Sequence, residues 1–138
     1  MDEKTLTIAN QVEQLNELAK ALETLSAEWH IPMDIMLSMN LVLEELVSNI
    51  IFYGYQDKKE HKIIIHFKFN NKILIMKIED DAIAFNPLQT AEPDIEGSIE
   101  NRKIGGLGIH FVRQLTDNIT YERIGNKNFL TLSKNIIL

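Results

Sequence analysis

The 138 residues carry 14 Lys and Arg against 20 Asp and Glu, a formal net charge of −6, with 45% hydrophobic residues and no cysteine. That size and balance fit one ordinary globular domain over 1–138 and lack the low hydrophobicity of disorder, while the missing cysteines exclude a disulfide framework, a thiolate zinc site and a cysteine nucleophile. The acidic surplus argues against a direct nucleic-acid footprint, and an acidic Met1-Asp2-Glu3 start without a long apolar run predicts a cytoplasmic chain that does not enter a membrane.

Residues 4–9 alternate and read as a first strand. Asn10, with Glu13 three residues on, has the spacing of a capping box that opens a helix. Val12, Leu15, Leu18, Ala19, Leu22 and Leu25 then recur at helical spacing. Pro32 suits the first turn of a second helix running to about Ile51. Its apolar face is Met36, Met39, Val42, Leu43, Leu46, Val47 and Ile50. Residues 62–69 and 72–79 are β-rich runs around Asn70-Asn71, a two-residue hairpin turn that pairs Phe69 with Lys72, Phe67 with Leu74 and Ile65 with Met76. Alternation puts Ile63, Ile65, Phe67, Leu74, Met76 and Ile78 on one face, the floor for the helices. Trp29, at a helix end, is expected to be a packing anchor.

Residues 82–104 lack periodicity and contain Pro87 and Pro93; a stretch of that length suits a lid or binding loop. Gly105-Gly106-Leu107-Gly108 opens a helix through about Leu115, and strands near 118–124 and 128–134 flank a turn at Gly125-Asn126. The order β-α-α-β-β-loop-α-β-β predicts an α+β two-layer sandwich, with helices on one face of a mostly antiparallel, mixed sheet.

Three constellations bear on chemistry. Glu45 and Asn49, four residues apart, share a helix ridge at the border of the apolar stripe; they are either a plain surface pair or a carboxylate and carboxamide facing a cleft. Asp80 ends its strand on the inward face, as a turn-forming residue or as a buried acceptor for the exocyclic amine of a base. The glycines at 105, 106 and 108 make either a tight loop-to-helix junction or a cradle of N–H groups for an anion, with Arg102 and Lys103 upstream to meet phosphates. The histidines at 30, 61, 66 and 110 show no metal-ligand spacing.

In their order, the three stretches resemble the nucleotide-binding boxes of the GHKL superfamily of gyrase-type topoisomerases, heat-shock chaperones and histidine kinases. Over nearly the whole chain the resemblance is to the bacterial anti-sigma-factor serine kinases. LEELVSNIIFYGY (43–55) is similar to the N box, IEDDAIAFNP (78–87) to the first glycine box and ENRKIGGLGI (100–109) to the second, with the lid between. The resemblance implies a Bergerat-type fold that binds ATP and Mg²⁺. It makes Asn49 the Mg²⁺ ligand, Glu45 the general base and Asp80 the reader of the adenine amine. Gly105, Gly106, Leu107 and Gly108 would form the loop over the phosphates, and Arg102 would offset charge during transfer. It further implies partners in a sigma factor and an antagonist (anti-anti-sigma) protein phosphorylated on serine, and relatives suggest a homodimer. Ala82 stands where the first box usually has glycine, so its methyl is expected to crowd the adenine or restrict the backbone. Tyr53 stands where many relatives have His. The alternative is a non-catalytic or weakly ATP-hydrolysing protein-binding module of the same fold.

Overall fold

In a computed structural model of the chain, residues 2–89 and 106–136 are described, of Gly106 and Leu107 the backbone alone. The elements are β1 (Asp2–Ala9), α1 (Leu15–Trp29), α2 (Met33–Tyr53), β2 (Lys62–Phe69), β3 (Ile73–Asp80), α3 (Gly106–Leu115), β4 (Asn118–Ile124) and β5 (Lys127–Asn135), with 3-10 turns at Val12–Gln14 and Pro87–Gln89. The strands form one sheet in the order β1-β2-β3-β5-β4. Every pairing is antiparallel, so the predicted α+β sandwich forms with no parallel component among the described strands.

Alternation builds the core. Ile63, Ile65, Phe67, Leu74, Met76 and Ile78 are fully buried and form one cluster with the inner faces of α1 (Leu18, Leu22, Leu25) and α2 (Met36, Met39, Val42, Leu43, Leu46, Val47). Burial of each such side chain contributes about 1.5–3 kcal/mol. Trp29 stacks on Phe69 with ring centroids 6.0 Å apart, the anchoring role expected of it. The inward row does not stay apolar to its end. On β3 it finishes at Asp80 and on β5, after Leu132 and Leu130, at Asn128; these two residues are cross-strand partners.

Local expectations change in four places. The β2–β3 register pairs Phe69 with Leu74, Phe67 with Met76 and Ile65 with Ile78, two residues beyond the predicted pairing. The Asn70 side-chain oxygen accepts hydrogen bonds from the Lys72 and Ile73 N–H groups, which widens the turn while Asn71 takes a left-handed φ of 73°. A slip of two leaves every side chain on its face. Asn10 does not cap α1: it exchanges backbone and side-chain hydrogen bonds with His61, and α1 starts at Leu15 without a side-chain cap. Val12 leaves the apolar stripe, 45% exposed, because it lies in the 3-10 turn. By length and composition α2 would pass for a membrane span, with a mean hydropathy of 1.6. Six of its side chains are buried in the core, whereas Met33, Leu37, Leu41 and Phe52 are exposed.

The β4–β5 turn follows the sequence reading, with Gly125 at φ 60° and open space around it. Gly125→Ala therefore meets backbone strain alone. Urea unfolding is expected to show a loss of about 1–2 kcal/mol, the cost of a left-handed conformation for a residue with a Cβ, and a smaller loss for Gly125→Asn.

Candidate functional site

One cavity of about 220 Å³ opens between the C-terminal half of α2 and the ends of β3, β4 and β5, and both Asn49 and Asp80 line it. The wall between them is largely apolar and aromatic, with Ile50, Tyr53, Ile83, Phe85 and Tyr121. A concave, mostly apolar cavity with few polar groups at fixed points is the form that small-ligand sites take.

At the α2 side, Asn49 Nδ2 donates to Glu45 Oε1 at 3.2 Å, as i and i+4 residues on one ridge can. With its NH₂ so engaged, the amide oxygen of Asn49 takes no hydrogen bond from a described residue, which leaves an oxygen donor of the kind that suits a hard cation. The Glu45 side chain lies against the first turn of α3. A Cβ placed on Gly108 would stand 1.8 Å from Glu45 Oε1 and 2.3 Å from its Cδ. Only a residue without a side chain permits that approach. The carboxylate thus sits where helix N–H groups lack intrahelical partners and the helix dipole is positive.

At the sheet end, Asp80 is 5% exposed. Its Oδ1 accepts hydrogen bonds from the Ala82 N–H at 3.0 Å and from Asn128 Nδ2 at 2.9 Å, while Oδ2 takes none from the described residues. Burial pushes the carboxyl above its ordinary value of 3.8. The bonds from Asn128 and Ala82 pull it down, Asp81 raises it, and Arg123 opposes Asp81. Asn128 Nδ2 also donates to the Ile83 carbonyl at 2.9 Å, and the Tyr121 hydroxyl donates to Asn128 Oδ1. Arg123 donates to the Ala82 carbonyl at 2.9 Å. Three side chains of the β4–β5 hairpin thereby tie down the turn after Asp80.

The expected restriction of the backbone at Ala82 does not arise, and Ala82 is among the residues that line the cavity. Ala82 is buried and has no left-handed φ, and its methyl points at Gly54, where an added Cβ would come within 2.8 Å of it. Gly54 at the end of α2 makes room for the side chain at position 82, and the Ile83 N–H donates to the Gly54 carbonyl at 3.0 Å. Tyr53 is half exposed at the cavity wall.

A second polar group braces the same turn. His61 lies between two carboxylates, with Nε2 2.8 Å from Asp57 Oδ1 and Nδ1 3.1 Å from Asp81 Oδ2. Its ring stacks on Tyr55 at 4.2 Å. The two aspartates hold the imidazole above its ordinary value of 6.5, and His61 first, then the Lys59 N–H, hold Asp57 below 3.8. The Tyr55 hydroxyl is buried without a geometrically formed hydrogen bond to any described residue; burial first, then Asp80 and Asp81, push its phenol well above the ordinary 10.0.

Of the residues singled out by sequence, Glu45, Asn49 and Gly108 meet at one end of the site, and Asp80 and Ala82 at the other. Arg102 and Gly105 lie outside the described residues, and Gly106 and Leu107 begin α3. Sequence reasoning missed Asn128, Tyr121 and Gly54. The signal for Asn128 was the alternation itself, since residues 132, 130 and 128 share a face as 76, 78 and 80 do.

The histidine kinase-like ATPase domain family matches residues 8–134. The serine/threonine-protein kinase BtrW of Bordetella bronchiseptica is 23% identical over 96 residues, covering 70% of this chain and 68% of the kinase. The anti-sigma F factor of Bacillus subtilis is 26% identical over 97 residues, covering 65% of this chain and 62% of that protein, so the chain spans less than two thirds of this relative. Among solved structures, the RsbU and RsbW domains of Rv1364c from Mycobacterium tuberculosis superpose with a TM-score of 0.68 at 11% identity, over 99% of this chain and 32% of that one. The Acinetobacter baumannii histidine kinase AdeS gives 0.53 at 17% identity, over 96% and 68%. The two structures speak to the fold. The resemblance to anti-sigma-factor serine kinases read from the three boxes agrees with the sequence relatives.

Two expectations follow. Gly54→Ala would drive its methyl to 2.6 Å from the Ile50 carbonyl and 2.8 Å from the Ala82 Cβ, and should cost about 1–3 kcal/mol as overpacking does. Ala82→Gly in the same chain should recover part of that loss in thermal melts, not all, because the Ile50 carbonyl remains. For His61, a folded pKa above the unfolded one gives stability that is full below 6.5 and fades as pH rises through the folded value. Asp57, depressed, loses its share as pH falls below 3.8. The melting-temperature deficit of His61→Gln should thus be largest between those two pH values and shrink above; a deficit constant from pH 5 to 9 would reject this account.

Proposed function

The chain belongs to the histidine kinase-like ATPase domain family, and we propose that it acts over 1–138 as an ATP-binding, anti-sigma-factor-type serine/threonine protein kinase. On this reading it is a cytoplasmic regulator of transcription, working as a homodimer. It binds a sigma factor and phosphorylates a serine of a small antagonist protein. The single observation that carries the reading is the shared cavity, with the Asp80 carboxylate at one end and Asn49, backed by Glu45 and Gly108, at the other.

Asp80 accepts a hydrogen bond from the adenine amine through Oδ2, and the Tyr53, Ile83 and Phe85 side chains cover the ring. Asn49 offers its amide oxygen to Mg²⁺, which prefers oxygen ligands. ATP supplies the phosphoryl group to be transferred, and the metal offsets its negative charge. Gly106, Leu107 and Gly108 at the start of α3, with Gly105 and Arg102 before it, hold the phosphates. Glu45, fixed by Asn49 beside Gly108, accepts the proton of the attacking serine hydroxyl. The alternative is a binding-only module of the same fold, in which Ala82, one of the cavity-lining residues, limits nucleotide affinity.

The test is incubation with radiolabelled ATP, Mg²⁺ and the antagonist, alongside calorimetric titration with ATP. A labelled serine is expected. Glu45→Ala should slow labelling by about 100-fold or more, the usual contribution of a general base, with ATP affinity nearly unchanged. Labelling at the parent rate in that variant would reject Glu45 as base, and no heat at millimolar ATP would reject the nucleotide reading.

A further inference from the structure

We propose that Asn128, braced by Tyr121, is a positioning residue that decides which purine the cavity takes, by keeping the unpartnered oxygen of Asp80 an acceptor for a 6-amino group. The inference rests on the adenine-nucleotide reading above and deepens it.

Asn128 faces Asp80 directly across β3 and β5, at the one level where the inward row of the sheet is polar on both strands. A side-chain amide has two N–H donors and one oxygen acceptor. Here Nδ2 serves Asp80 Oδ1 at 2.9 Å and the Ile83 carbonyl at 2.9 Å, and Oδ1 accepts from the Tyr121 hydroxyl. Turning the amide over would set its oxygen against the Asp80 and Ile83 oxygens, so these acceptors select one orientation, and the Tyr121 hydroxyl, able to donate or accept, braces the amide oxygen in it. Asp80 Oδ1 is then saturated by Asn128 and the Ala82 N–H, and Oδ2 remains as the carboxylate atom without a partner among the described residues, on a residue that lines the cavity.

A carboxylate oxygen is acceptor-only, so it matches the 6-amino group of adenine and opposes the 6-keto group of hypoxanthine, where two acceptors would meet. Protonated Asp80 would reverse the preference by offering an O–H to the keto oxygen. Burial favours that protonated form, and the Asn128 hydrogen bond works against it. The other charged or titratable groups that act on Asp80 are Asp81, which favours protonation, and Arg123, which opposes it; Tyr55 stands near enough for its phenol to feel the carboxylate. Asn128 thus controls both where Oδ2 points and whether it accepts.

The experiment measures ATP and ITP dissociation constants by calorimetry at pH 7.5 and 6.0 for the parent, Asn128→Ala and Tyr121→Phe. The Asp80 carboxyl is titrated by ¹³C NMR in the same proteins. The parent should prefer ATP. In Asn128→Ala the ATP-to-ITP preference should fall about tenfold, the scale of a lost hydrogen bond to a charged group, most at the lower pH, and the Asp80 midpoint should move up. Tyr121→Phe should shift both readings in the same direction by less, and it carries the test if Asn128→Ala does not fold. A folded variant that keeps both the preference and the midpoint overturns the role of Asn128 while leaving adenine binding intact. A parent that binds neither nucleotide overturns the adenine reading and the selectivity built on it.

Discussion

A carboxylate set at the end of an apolar strand face has to be satisfied from nearby, and Asp80 is that carboxylate. Left unpaired, it would carry a desolvation cost of several kcal/mol. One donor comes from its own chain two residues on, which bends the turn at residues 81–83. The other comes from the neighbouring strand, which binds β5 to β3 at the mouth of the cavity. The turn, the hairpin that clamps it and the polar spot in an otherwise apolar slot all follow from meeting the needs of a single side chain.

Both ends of the cavity are shaped by an absence of atoms. Gly108 lets the Glu45 carboxylate rest against the α3 backbone, and Gly54 lets the turn after β3 close on the end of α2. Neither position has the left-handed φ that often explains a glycine. Proximity is the requirement at both. At the second, the room that Gly54 leaves is taken by the Ala82 methyl.

The layers and the inward faces were legible in the sequence because periods of 2 and 3.6 survive local error. The helix stripes, the buried face of β2 and β3 and the β4–β5 turn were all readable from residue spacing. The pairing of β2 with β3 was not, since a slip of two preserves alternation and only the Asn70 side chain fixes the turn. Asn10 misled because its partner, His61, is 51 residues away. Glu45, Asn49, Asp80 and the glycines stood out as motifs within short windows. Asn128, Tyr121 and Gly54 did not, because what each does depends on a residue from another part of the chain.

The sheet order sets the last strand in chain order among the described elements, β5, between β3 and β4. During synthesis β3 is therefore an unpaired edge until residues 127–135 emerge, with Ile73 and Ile75 beside a row of open backbone groups. Such an edge invites pairing with other chains. The nascent protein holds its cavity unfinished for as long as it holds that edge exposed, so a single late strand insertion both completes the cavity wall and removes the aggregation hazard.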